Sequence, residues 1–152
     1  MSQGVWVLVA ALVFASAFGI YRAASDGRFR GTHPVKGAVI PAQQGEPRPS
    51  VLEGSDIDHA LGARATLLQF SSAFCAPCRA TRRILADVAD IVPGITHVEV
   101  DAEHHLALVR RLGILRTPTT LILDQDGREV SRASGAPRKE EVLATLAKAI
   151  KA

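Results

Sequence analysis

One stretch restricts the possible folds more than any other. The strand-like run Leu67-Leu68-Gln69-Phe70 passes through small residues into Phe74-Cys75-Ala76-Pro77-Cys78-Arg79. Cys75 and Cys78 are the only cysteines in the chain. A lone Cys-x-x-Cys where a buried strand turns into an amphipathic helix reads as a redox dithiol rather than as part of a disulfide scaffold. Pro77 falls in the first turn of that helix, where its missing N–H costs nothing. Ile84, Leu85, Val88, Ile91 and Val92 continue the helix at its own spacing, and Pro93-Gly94 ends it.

A cysteine at a helix start meets unpaired backbone N–H groups and the positive end of the helix dipole, and both stabilise a thiolate. Cys75 precedes the helix and is the expected nucleophile. Cys78, about one turn on and facing inward, is the expected resolving thiol. Pro77 stiffens the turn between them, and Arg79, Arg82 and Arg83 add positive potential. The competing readings are two inert buried cysteines, a zinc ligand pair and a haem attachment. Zinc needs about four ligands. No second Cys-x-x-Cys exists, and the adjacent His104 and His105 diverge by about 100° on a helix, so no metal is expected. Haem attachment would need histidine at position 79, which is arginine.

Ahead of the dithiol lie two unlike segments. Residues 4–21 carry no charge and would form roughly 27 Å of helix, enough for a hydrocarbon core of about 30 Å. Trp6 and Tyr21 lie near its ends, at headgroup level. Residues 1–22 are therefore expected to be a single transmembrane anchor. Ala15-Ser16-Ala17 resembles the cleavage site of a signal peptide, the alternative, but no basic residue precedes the apolar run. Arg22, Arg28, Arg30 and Lys36 follow it, which favours the cytoplasmic face for the rest of the chain, with the extracytoplasmic face as the alternative. Residues 23–50 are punctuated by Gly and Pro and poor in large aliphatics, so they read as a flexible linker.

Residues 51–152 then form one globular domain. Val51-Leu52 reads as a short first strand, and Ser55 with Asp58 as a capping box opening a short helix through Leu61. Residues 66–71 read as a strand buried on both faces and residues 96–100 as a half-buried one. Leu108, Val109 and Leu112 suggest a short helix closed by Gly113. Thr117-Pro118-Thr119 leads into a strand over 120–123, since a proline there is tolerated only at a strand's start. Asp124-Gln125-Asp126-Gly127 makes a hairpin turn, with residues 128–133 as its return strand. Val142, Leu143, Leu146, Ala149 and Ile150 line one face of a last helix. The expected order is β-α-β-α-β-α-β-β-α: an α/β fold with a mixed central sheet flanked by helices. A net charge of +3 with scattered Lys and Arg makes nucleic acid an unexpected partner.

The run over 67–79, Thr117-Pro118-Thr119, the Asp126-Gly127 hairpin and Gly135 before the last helix together resemble the thioredoxin family, over roughly residues 51–152. In particular the chain resembles the membrane-anchored thioredoxin-like proteins of actinobacteria. The resemblance implies the thioredoxin fold and thiol–disulfide exchange with protein disulfides. It implies no cofactor beyond a redox-active Cys75–Cys78 disulfide, and an unidentified thiol or membrane electron donor. It makes Pro118 a cis-proline facing the dithiol, and assigns substrate contacts to Phe74, Ala76, Pro77, Thr117 and Pro118. Phe74 stands where the family has tryptophan, and Ala76 where it has glycine. Gln69 replaces the family's buried aspartate and His97 the lysine beside it, so proton transfer would fall to His97 or to a water near Gln69. Two other functions compete: a redox-poised module that docks partners at the membrane without turnover, and metal handling by the dithiol.

Overall fold

In the computed structural model, residues 3–31, 50–55, 57 and 61–150 are described. The elements are α1 (Gln3–Ser25), β1 (Phe29–Gly31), β2 (Ala65–Ser71), α2 (Ala76–Ile91) and β3 (Ile95–Asp101). Then follow α3 (Leu106–Arg111), β4 (Thr119–Asp124), β5 (Glu129–Ser134) and α4 (Lys139–Ala149). The sheet order is β1-β5-β4-β2-β3, with β2 parallel to β3 and every other neighbouring pair antiparallel. This is the expected mixed sheet with helices on both faces.

β2 is buried along its whole length because each face meets a separate apolar cluster. Leu68 and Phe70 face Leu52, Leu108 and Leu121 on one side. Ala65 and Leu67 face Leu85 and Val88 of α2 and Val142 and Leu146 of α4 on the other. The largely apolar run in the sequence therefore has the cause expected of it. α2 starts at Ala76 with Pro77 in its first turn and stops where Val92 turns extended. Gly94, at φ +82, then turns the chain toward β3.

Two expectations are corrected. Val51-Leu52 is a turn, not a strand: Val51 N–H donates to the Gly127 carbonyl at 2.8 Å, and Leu52 plugs the core with no exposure. The Ser55 hydroxyl donates back to the Leu52 carbonyl; Asp58 and most of the short helix expected after Ser55 lie outside the described residues. The stretch expected as a linker from residue 23 begins with ordered structure. α1 continues to Ser25, and Phe29–Gly31 joins the sheet edge by pairing with Ser131, Arg132 and Ala133 of β5. Phe29 supplies the reason, because it packs on the cluster beneath α4. Residues 32–49, the rest of that stretch, lie outside the described residues.

Among the described residues one helix, spanning Gly4–Ala23, is long and apolar enough to cross a membrane, and residues 4–23 are all exposed.

Candidate active site

The dithiol sits where β2 delivers the chain to α2. Cys75 is the N-cap residue of α2, in extended conformation, and its Sγ accepts the Cys78 backbone N–H at 3.1 Å. That N–H is shared with the Cys75 carbonyl at 3.2 Å, and its contact with the sulfur is one a thiolate would strengthen. Cys75 and Cys78 are joined by a disulfide, with Cα atoms 5.2 Å apart. Cys78 is 2% exposed and Cys75 9%, whereas Phe74 is fully exposed, and Ala76 and Pro77 are exposed beside it. The inward and outward positions expected of the two sulfurs are thus ordered as the helix start dictates.

The Thr117–Pro118 peptide bond is cis, and Pro118 is buried at the start of β4. Its loop meets the dithiol loop: the Ser72 and Thr117 hydroxyls are hydrogen-bonded at 3.0 Å. Strand polarity explains the meeting. β2 ends and β4 begins at the same end of the sheet because the two are antiparallel, so residues 72–78 and 116–118 share that end.

Beneath the dithiol, Gln69 is completely buried and fully used. Its Nε2 donates to the Cys78 carbonyl at 3.0 Å and to Ser71 Oγ at 2.8 Å. A carbonyl can only accept, so the amide nitrogen must face Cys78 and the amide oxygen must face His97. His97 Nε2 lies 3.2 Å from that oxygen and therefore donates to it. The two residues suggested for proton transfer are in contact, but Gln69, which does not titrate, stands between His97 and Cys78.

A cavity of about 300 Å³ opens beside the pair, lined by Ser71, Cys75, Cys78, Arg82, Glu99 and Asp101 among others. Glu99 is a functional candidate that reading the sequence missed, and Arg82, expected only as a source of positive potential, is its partner. β3 residues 97, 99 and 101 share a face, and in register they oppose Leu67, Gln69 and Ser71 of β2. That period-two pattern was the available signal, but the register that brings it to the dithiol is a tertiary fact. Arg82 clasps Glu99 with Nη2 2.7 Å from Oε1 and Nε 2.5 Å from Oε2. Burial pushes the Glu99 carboxyl up. Hydrogen bonds from Arg82 and Ser71, with the charges of Arg82 and His97, outweigh that and hold it below the ordinary glutamate value. Among the described residues no group of three or more His, Cys, Asp and Glu could hold a metal ion. His104 and His105 are instead tied to Asp101, through Oδ2 at 2.9 Å and the carbonyl at 3.0 Å.

Burial pushes His97 below its ordinary value of 6.5, against the pull of Glu99 and with Arg82 acting the same way. The unfolded chain then binds the His97 proton more tightly than the folded one. The stability this contributes is present above about pH 6.5 and is lost as pH falls through the lower folded value. The melting temperature should therefore fall more between about pH 7.5 and pH 5.5 in the wild type than in His97→Gln, whose amide can still donate to Gln69. Parallel melting curves for the two would contradict this.

Comparison with known proteins agrees with this geometry. Residues 58–150 match the family model described as a thioredoxin-like domain. Thioredoxin H-type 1 of Nicotiana tabacum is 32% identical over 85 residues, covering 56% of this chain and 66% of that protein. The thioredoxin of Chlamydia trachomatis is 26% identical over 98 residues, covering 64% of this chain and 95% of that one. Among solved structures, Fasciola hepatica thioredoxin superposes with a TM-score of 0.52 at 25% identity, over 60% of this chain and 86% of its own. A mutant thioredoxin from Halobacterium salinarum gives 0.53 at 18% identity, over 57% and 75%, a likeness of fold. The chain belongs to the thioredoxin-like family and is a thiol–disulfide oxidoreductase of that class.

Proposed function

We propose that the protein is a membrane-tethered oxidoreductase that reduces disulfides in protein substrates, with Cys75 attacking and Cys78 resolving. The observation that carries this is the Cys75 sulfur at the N-cap of α2, hydrogen-bonded by the Cys78 N–H and set beside the Pro118 loop. The Cys75 thiolate attacks one substrate sulfur, forming a mixed disulfide, and the other sulfur leaves as a thiolate that takes up a proton. Cys78 loses its proton and attacks Cys75 Sγ, which releases the second substrate thiol and leaves the Cys75–Cys78 disulfide. Two electrons pass from the dithiol to the substrate, and a thiol or membrane electron donor must return them.

Phe74, Ala76 and Pro77 supply the apolar surface around the attacking sulfur, and an extended substrate segment pairs along Thr117 and Pro118. The proton of Cys78 leaves through the cavity it shares with Glu99. His97, in contact with Gln69, is the second candidate, because its hydrogen bond reaches the amide that holds Cys78.

The tether reading rests on the apolar helix Gly4–Ala23, and the cytoplasmic side on the arginines that follow it. A cytoplasmic domain meets a reducing thiol pool, which favours substrate reduction over oxidation. The test uses the full chain in detergent with insulin as substrate and dithiothreitol as electron source. Repeated turnover above the dithiothreitol background is expected; a module that only binds partners gives the background alone. Impermeant thiol labelling of Glu140→Cys in intact cells, in a chain lacking Cys75 and Cys78, should fail until the membrane is opened. Labelling of intact cells would put the domain outside.

A further inference from the structure

The membrane segment enters the sheet at the dithiol end. Three antiparallel steps establish this. Pro118 leads into β4 at the end where β2 delivers Cys75. Ser134 closes β5 at that same end, because β5 runs against β4. Phe29 opens β1 there too, because β1 runs against β5. Phe29, Ala133, Thr120 and Gln69 lie in one row across the sheet. Three strand spacings of about 4.8 Å put the anchor's entry roughly 14 Å sideways from β2.

The junction is held as well as placed. Asp26 N–H closes α1 on the Arg22 carbonyl at 3.0 Å, and Gly27 N–H donates to the Ser134 carbonyl at 2.9 Å. Arg116, one residue before Thr117, pairs with the Asp26 carboxylate and donates to the Ser134 carbonyl at 2.7 Å. Gly135 N–H donates to the Pro118 carbonyl at 2.8 Å. Gly27 and Gly135 fit these approaches because both have positive φ and neither has room for a Cβ; one on Gly135 would lie 2.5 Å from the Asp26 carboxylate. Asp26 and Gly27, directly after α1, are thus fastened to Arg116 and Ser134 in two loops at the dithiol end of the sheet. α1 itself leaves the domain, since residues 4–23 are all exposed.

The reach is short. From Ala23, where the apolar window ends, to Phe29 is six residues, which span at most about 20 Å. The dithiol end therefore cannot move more than that from the bilayer surface while β1 stays paired. The same end carries two exposed bulky apolar side chains, Phe74 and Leu115, the latter 95% exposed.

Resting on the tethered-oxidoreductase reading, we propose that the dithiol faces the bilayer, and that its substrates are disulfides in the juxtamembrane segments of membrane-spanning proteins. A disulfide within about 20 Å of the headgroups meets Cys75 without displacing the anchor. A disulfide on a distant domain would have to enter the gap between domain and membrane. The exchange is the one given above: two electrons leave the reduced dithiol, the substrate S–S bond becomes two thiols, and the Cys75–Cys78 bond forms.

The experiment reconstitutes the full, pre-reduced chain in lipid vesicles with a single-span test protein in the same orientation. The test protein carries one disulfide loop, placed either about five or about forty residues from its span. Single-turnover reduction should be at least about tenfold faster for the near loop, the gain expected when two tethered sites share a small volume. A flexible Gly-Ser segment of about twenty residues, inserted between Ser25 and Asp26, adds about 25 Å of reach and should remove the preference. Equal rates for the two loops would overturn the proposal. So would a preference that survives the insertion, or reduction of neither loop while a small aromatic disulfide is still reduced. If the small disulfide is not reduced either, the oxidoreductase reading itself fails, and the proposal with it.

Discussion

Cys75→Ser and Cys78→Ser should both bring insulin reduction down to the dithiothreitol background, but only Cys78→Ser should accumulate a mixed disulfide with substrate. The difference follows from position. Cys75 Sγ is the N-cap acceptor of α2 and borders the exposed Phe74, Ala76 and Pro77, so a substrate sulfur can reach it. Cys78 is 2% exposed and hydrogen-bonded through its carbonyl to buried Gln69, so it meets only the sulfur one turn before it. Without Cys78 the adduct has no intramolecular route out and persists. Without Cys75 no adduct forms, and the remaining thiol is shielded.

Phe70→Ala should be the most damaging single truncation outside the dithiol. Phe70 is the largest fully buried side chain and sits on β2, five residues before Cys75, against Leu52, Leu108 and Leu121. Removing a buried phenyl ring forfeits its transfer free energy and leaves a cavity, a cost of about 3–5 kcal/mol. In a domain of about a hundred residues each kcal/mol is worth about 4–8 °C, so the melting temperature should fall by more than about 12 °C. A fall below about 4 °C would mean the ring is not part of the packed core described above. Because β2 also carries Gln69 and Ser71, the variant should lose its activity at the temperature at which it unfolds, not before.

The parts of the fold that could be read from the sequence were those with a local cause. β2 is buried on both faces and so is largely apolar; α2 repeats its apolar residues at helical spacing and has Pro77 in its first turn; the hairpin after β4 turns on Asp126-Gly127. The parts that escaped depend on distant partners. β1 is three residues long, too short for any periodicity, and exists because β5, a hundred residues later, offers an edge. Leu52 is apolar because it fills the core from a turn, and an apolar pair in a turn looks like a short strand. At the site, the two cysteines and Pro118 announce themselves by motif. Glu99 does not: it is an ordinary glutamate on a half-buried strand until register sets it opposite Gln69 and the cavity beside Cys78. The Arg116–Asp26 pair joins residues 90 positions apart, and no local pattern foretells it.

The most direct check of the central claim is to locate the substrate on the protein. Full-length Cys78→Ser, reduced and then exposed to insulin, is quenched in acid, digested and analysed by mass spectrometry for the bridged peptides. The account predicts an insulin chain disulfide-linked to the peptide containing Cys75, and no such link in Cys75→Ser. An unlinked Cys75 peptide in Cys78→Ser, or an equal yield of insulin adduct on Cys78 in Cys75→Ser, would contradict it.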